Sequence, residues 1–175
     1  MSSPSAPTVL VTGAAGNLGG LLARHLLPSG LSLRLMHHRR PLTNEVLGCS
    51  SVTPVWADLG QAETLPAAVA GVDAIVHFAG VLFAPRPERF LPQTNTRWFE
   101  NLLTAALDAG VRRLILISFP HVEGPTSAAQ PATGRLDAVP ASVHARTRLE
   151  EERLLFERTA GTHITPVVLR LERRG

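Results

Sequence analysis

The chain has 175 residues, 45% of them hydrophobic and 18% charged, with 17 basic side chains against 14 acidic ones and a formal net charge of +3. That suits one domain with a proper core, and no apolar run approaches the ~18 residues a membrane-spanning helix needs. The pI of about 10.8 does not call for a nucleic-acid partner: every basic residue is Arg, neither Lys nor Tyr occurs, and almost nothing titrates between the histidines and the guanidinium groups.

In chain order, MSSPSAP (1–7) is small, polar and proline-broken, unlike a signal peptide, and reads as a disordered tail. TVLVT (8–12) is a buried strand that ends in a glycine-rich turn. NLGGLLARHLLPSG (17–30) has helical spacing through Leu18, Leu21, Leu22, Leu26 and Leu27, stopped by Pro28 and Gly30. LSLRLM (31–36) alternates as a second strand, and VTPVWA (52–57) is a third that Pro54 assigns to a sheet edge or delays. Cys49, the single cysteine, cannot form an internal disulfide and fits a reducing cytoplasm. QAETLPAAVAG (61–71) reads as a short helix kinked or shortened by its proline, and DAIVHFAG (73–80) as a buried strand. NTRWFENLLTAALDA (95–109) is a helix capped by Gly110, and RRLILIS (112–118) an apolar strand. Residues 119–141, rich in Pro, Gly, Ser and Ala, are expected to be a mobile loop. A helix over 142–159 puts Ala145, Leu149 and Phe156 on one stripe and Glu150 to Glu152 outward. ITPVVLRL (164–171) is the sixth strand, followed by a short basic tail, 172–175.

This alternation predicts an α/β fold: a Rossmann-type doubly wound parallel sheet of about six strands with helices on both faces, over residues 8–171. The seven histidines are scattered without zinc-site spacing, so no metal is expected. The basic runs HHRR (37–40) and RLERR (170–174) lack the interleaved aromatics of a single-strand groove.

TGAAGNLGG places Gly13, Gly16 and Gly19 between the first strand and the first helix. Glycine lets the chain turn tightly there and lets a dinucleotide pyrophosphate reach backbone N–H groups at the positive end of a helix. A tight strand-to-helix turn alone could also use this glycine triplet; the position after the first strand of an alternating chain favours the dinucleotide. A P-loop is excluded because the chain has no lysine, and a methyltransferase-type site fits the spacing less well.

With these residues in place, the chain resembles the extended and atypical short-chain dehydrogenase/reductases, the NAD(P)-dependent epimerase/dehydratase group. The resemblance covers roughly residues 8 to 171 and implies cofactor contacts from Gly13, Gly16, Asn17, Leu18 and Gly19. Asp58-Leu59 resembles the element whose carboxylate meets the adenine amino group, and HFAG, with Ala79 and Gly80, the element beside the adenine ribose. Asn95 and the following Asn101-Leu102-Leu103 resemble the central helix, with Trp98 where the family usually has glycine. LILIS and VEG resemble the strand and loop that carry the active-site serine or threonine. That place aligns with Phe119, and Ser118 is the only nearby hydroxyl. His37 and Arg39, with no acidic residue at the end of the second strand, favour NADP over NAD.

The family's Tyr-x-x-x-Lys pair is replaced by His144 and Arg148 in VHARTRLEEE. The i, i+4 spacing puts both on one helix face, the face that the resemblance turns toward the cofactor. Arg148 could still hold a ribose, but His144 ends roughly 2 Å short of a phenolic oxygen. Ser118, His144 and Arg148 are the candidate catalytic residues, set against the bland reading of His144 as a helix-surface side chain. Family members usually continue past LRLERRG into a substrate-binding region, which is expected to be largely missing. Three readings stay open: an oxidoreductase or epimerase acting on a small carbonyl or hydroxyl substrate, an NADP(H)-binding sensor or regulator without turnover, and a degenerate fragment. An uncovered sheet face or edge would favour homo-oligomers.

Overall fold

The alternating runs become, in the computed structural model, six strands of one sheet. They are β1 (Thr8–Thr12), β2 (Ser32–His37), β3 (Val52–Trp56), β4 (Ala74–His77), β5 (Arg113–Ser118) and β6 (Thr165–Arg170). Every pairing is parallel and the order is β3-β2-β1-β4-β5-β6. The structure describes residues 6–80, 86–127 and 129–171. The basic tail and most of the expected N-terminal tail lie outside them.

The helices are α1 (Asn17–Leu26), α2 (Asn44–Leu47), α3 (Leu65–Val69), α4 (Pro87–Leu91), α5 (Trp98–Asp108) and α6 (Val143–Thr159). Because side chains alternate across a strand, two apolar layers form. Leu10, Ile75, Leu114 and Leu116 face α3, α5 and α6, with Phe99, Leu102, Leu103 and Leu155 packed on them. Val9, Val11, Leu33, Leu35 and Val76 face α1 and α2, where Ala23, Leu42 and Val46 close the layer. The predicted doubly wound sheet is therefore the one observed. At its amino end, Asp73 accepts from the Thr8 N–H at 2.7 Å and from Arg112 at 2.5 Å, joining β1, β4 and the approach to β5. The Thr8 bond first, then Arg112, hold its carboxyl below the usual range.

Several local expectations change. Pro54 does lie in an edge strand, paired only with β2. Pro66 sits in the first turn of α3, so it starts that helix instead of kinking it. The helix expected from Asn95 is preceded by α4 and by a π-helical stretch, Pro92–Arg97, with Asn95 buried in it. Leu18 and Leu21 are each 55% exposed, because the small residues Gly19 and Ala23 face the sheet. Of the three consecutive glutamates on α6 only Glu150 points outward: Glu151 and Glu152 are buried, while Phe156 is exposed. Ala145 and Leu149 of the expected stripe are buried, and the two glutamates turn inward because arginines, described below, meet them there.

Among the described residues, no helix lies directly over β5 and β6 on the second face. An open cavity of about 990 Å³ lies there, lined by Val76, Phe78, Ile115, Ile117 and Leu169, with Leu22 and Leu26 of α1 as its wall.

Candidate dinucleotide-binding site

The carboxyl ends of the strands gather at the point where the chain winds away from β1 in both directions, the usual crevice for a ligand in such a sheet. Gly13 has φ +67°, and a Cβ there would stand 3.0 Å from the Ala79 nitrogen. Gly16 donates its N–H to Gly13 O at 2.9 Å and caps α1. A Cβ on Gly19 would lie 2.3 Å from Gly13 O, closer than atoms can come. The glycines thus let the turn fold onto the end of β4. First-turn N–H groups of a helix lack intrahelical acceptors. Here no side chain caps them and no acidic residue shares the turn, while Asn17 and Leu18 are exposed. The residues present fit a bound pyrophosphate.

Thr12 and His77, opposite each other in register, join the floor of the crevice. Thr12 Oγ1 shares a 2.8 Å hydrogen bond with His77 Nδ1 and accepts the Ala79 N–H at 3.3 Å. Burial, and secondarily the charge of Arg148, push the His77 imidazole down to about 3, so it stays neutral.

At the β2–β3 end, Asp58 accepts the Gly60 N–H at 2.8 Å, and His38 Nε2 lies 3.2 Å from its other oxygen. Asn101 donates to Leu59 O at 2.8 Å, fixing the loop after β3. Trp98 lies against Gly60, where a Cβ would stand 3.0 Å from the indole nitrogen. The bulky residue at the family's glycine position is thus accommodated by a glycine across from it. His38, stacked edge-on to Trp56, partners Asp58, whereas His37 ends the strand. Arg39 and Arg40 are exposed.

The opposite end is built by β4, β5 and α6. Ser142 caps α6 by accepting the Ala145 N–H at 3.1 Å. Asn95 donates to Thr147 Oγ1 at 3.2 Å, and Thr147 donates to His144 O, pinning the first turn. The His144 ring meets Phe119 edge-on at 4.8 Å, and its Nε2 is buried without a hydrogen-bond partner. Burial, then Arg148, hold its pKa below the ordinary histidine value. Arg148 is 5% exposed. Its Nη1 donates to Glu151 Oε2 at 2.8 Å, and a Cβ on Gly80 would stand 2.0 Å from its Nη2.

Ser118 donates at 2.5 Å to Glu152 Oε1 and is buried. Glu152 is gripped by Arg170 of β6, which reaches both carboxylate oxygens and also pairs with Glu123. Glu123 accepts from the Thr133 and Gly134 N–H groups, and Arg153 donates to the Leu136 and Ala138 carbonyls. The stretch expected to be mobile is therefore tied down at several points.

Arg148, Gly80, His77 and the glycine turn are brought together; Ser118 faces a separate ionic cluster. Thr12, His38, Glu151 and Glu152 were not read as site residues from the sequence, and His77 entered only as the first residue of HFAG. The i, i+3 spacing of Arg148 and Glu151 was the one available signal. Among the described residues no group of His, Cys, Asp and Glu converges as a metal-ligand set, and no described helix is long and apolar enough to cross a membrane.

The profile of the NAD(P)H-binding family matches residues 13–161. The chain belongs to this family. Within it, the relatives are of the epimerase/dehydratase type of short-chain dehydrogenase/reductase. Human 3 beta-hydroxysteroid dehydrogenase type 7 is 33% identical over 129 residues, 70% of this chain and 35% of its own length. UDP-glucose 4-epimerase of Azospirillum brasilense is 28% identical over 172 residues, 95% of this chain and 49% of its own. The solved structure of MoeE5 with UDP-glucuronic acid and NAD superposes with a TM-score of 0.79 at 27% identity, covering 93% of this chain and 54% of that one. The chain thus spans half or less of the length of these two relatives.

Proposed function

We propose that residues 8–171 form one NADP(H)-binding domain whose own side chains do not carry out the family's proton exchange, so that the chain senses or presents the dinucleotide. The observation that carries this reading is the engagement of every candidate catalytic group. The Ser118 hydroxyl is spent on Glu152, the Arg148 guanidinium on Glu151, and the His144 ring is packed on Phe119. The first turn of α1, which no side chain caps, and its glycine packing support the nucleotide itself.

The preference for NADP over NAD rests on chemistry at the end of β2. Asp58 is occupied by His38, and the exposed Arg39 and Arg40 form no ion pair among the described residues. Guanidinium groups suit a 2′-phosphate through paired hydrogen bonds. A cytoplasmic setting accords with the lone cysteine.

The second reading is an oxidoreductase or epimerase acting on a small carbonyl or hydroxyl substrate, either in a longer protein or as an oligomer. His144 favours it: an uncharged imidazole at the first turn of α6, four residues before Arg148, is a usable base.

A thermal-shift titration with NADPH and NADH separates these ideas. A ligand at 100 times its dissociation constant stabilises the native state by about 2.7 kcal/mol. We expect a saturable shift, larger with NADPH, that Gly19→Ala abolishes. A folded sample with no shift from either nucleotide sinks the nucleotide reading. Hydride transfer that His144→Ala removes would establish the second reading.

A further inference from the structure

The inner face of α6 holds a carboxyl group with no role in the site so far. Glu151 is 0% exposed; one oxygen accepts from Arg148, and the other has no hydrogen-bond partner. A buried carboxylate with one partner and one bare oxygen is costly. Its partner is the side chain that lies against Gly80, at the end of β4 where the crevice opens. Glycine at position 80 leaves room for the guanidinium, and Glu151 draws it inward. Apart from Nη1, no nitrogen of Arg148 donates to an acceptor among the described residues.

Two charges act on Glu151, Arg148 and Glu152, both from α6 itself. Glu152 is in turn satisfied by Ser118 of β5 and Arg170 of β6. On the neighbouring α5, Glu100 is paired with Arg97 and Arg158. From β4, His77 is neutral, and His144 stands two turns back on α6. Among the described residues, Arg148 is therefore the one cation that acts on Glu151.

We propose that Glu151 is the counter-ion that parks Arg148 beside Gly80, and that the guanidinium turns from Glu151 to the dinucleotide's anionic groups on binding, leaving Glu151 to take a proton from solvent. This rests on the nucleotide reading above. The proton balance is simple: one proton leaves the buffer and one O–H bond forms on Glu151. The other oxygen needs no new partner, because a neutral carboxyl tolerates burial far better than a carboxylate. Burial already holds this carboxyl up at about 7, against the pull of Arg148.

The test is calorimetric titration of the full chain with NADPH in phosphate and in Tris, whose ionisation heats differ. The difference between the two heats gives the protons taken up. We expect uptake to rise from near zero at about pH 5.5 to most of a proton at about pH 8, following the ionisation of Glu151. Glu151→Gln should bind with that uptake removed, which sets aside protons taken by the histidines or by the nucleotide's own phosphate. If that variant fails to fold, Glu151→Leu carries the same expectation. Binding to the wild type with no pH-dependent uptake overturns the coupling and leaves the nucleotide reading intact, as does equal uptake by the wild type and Glu151→Gln. No binding to the folded wild type removes both.

Discussion

Glu151 and His77 pull the stability of this protein in opposite directions as pH changes. Burial raises the Glu151 carboxyl from an ordinary 4.5 to about 7. Its contribution is thus full below about pH 4.5 and is lost as pH rises through 7. Burial lowers His77 from 6.5 to about 3, so its contribution is full above pH 6.5 and is lost as pH falls toward 3. Between pH 4.5 and 6.5 the two offset each other. Glu151→Gln removes the first effect. Urea unfolding should find it gaining on the wild type as pH rises from 4.5 to 8, by on the order of 3 kcal/mol. Parallel profiles for the two proteins would show that Glu151 is not held neutral by burial. Thr12→Val tests the floor of the crevice: it strips a partner from buried His77 and from the Ala79 N–H, and should cost about 1–3 kcal/mol.

At the level of elements, β6 and α6 are held together by charge as much as by apolar packing. Arg170 is shared by Glu152 and Glu123. Replacing it with Ala leaves two largely buried carboxylates without their cation, a loss of about 3–5 kcal/mol. The same change frees the loop after β5, so limited proteolysis should cut Arg170→Ala within 125–141 well before the wild type. The strands and the glycine turn were legible in the sequence because their signals are local: β-branched runs, and a spacing of glycines directly after one of them. The inward Glu151 and Glu152 were not. Periodicity assigns acidic side chains to water, and the cation that brings Glu152 inside lies 18 residues further on in a different element. The pairing of Asp58 with His38 instead of an arginine was hidden for a like reason, since it depends on how β2 and β3 end side by side.

For the molecule as a whole, the two faces of the sheet differ. One is covered from β1 to β6 by α3, α5 and α6; among the described residues the other is covered by α1 and α2, which leave β5 and β6 open. Exposed apolar patches of this kind are uncommon on a monomer surface. The native chain should bind an apolar dye such as anilinonaphthalene sulfonate over β4–β6, and Leu169→Asp should reduce that fluorescence without changing the far-ultraviolet spectrum. The parallel sheet of six strands, the helices on both its faces and the glycine turn after the first strand followed from the sequence; the strand order is seen only in the fold. The bare face did not, since it depends on which strands each helix spans.

The place of Arg170 in the last strand sets an order of events during synthesis. Glu123 and Glu152 emerge from the ribosome well before Arg170, and until it arrives neither has its buried cation. Strands β1 to β5 can pair first, but the ionic cluster beneath the loop after β5 closes only when β6 adds at the sheet's edge. Among the six strands and their helices, the α6 side of the crevice thus matures after the glycine turn, and nucleotide offered to a nascent chain should find that turn ready before the guanidinium of Arg148 is in place.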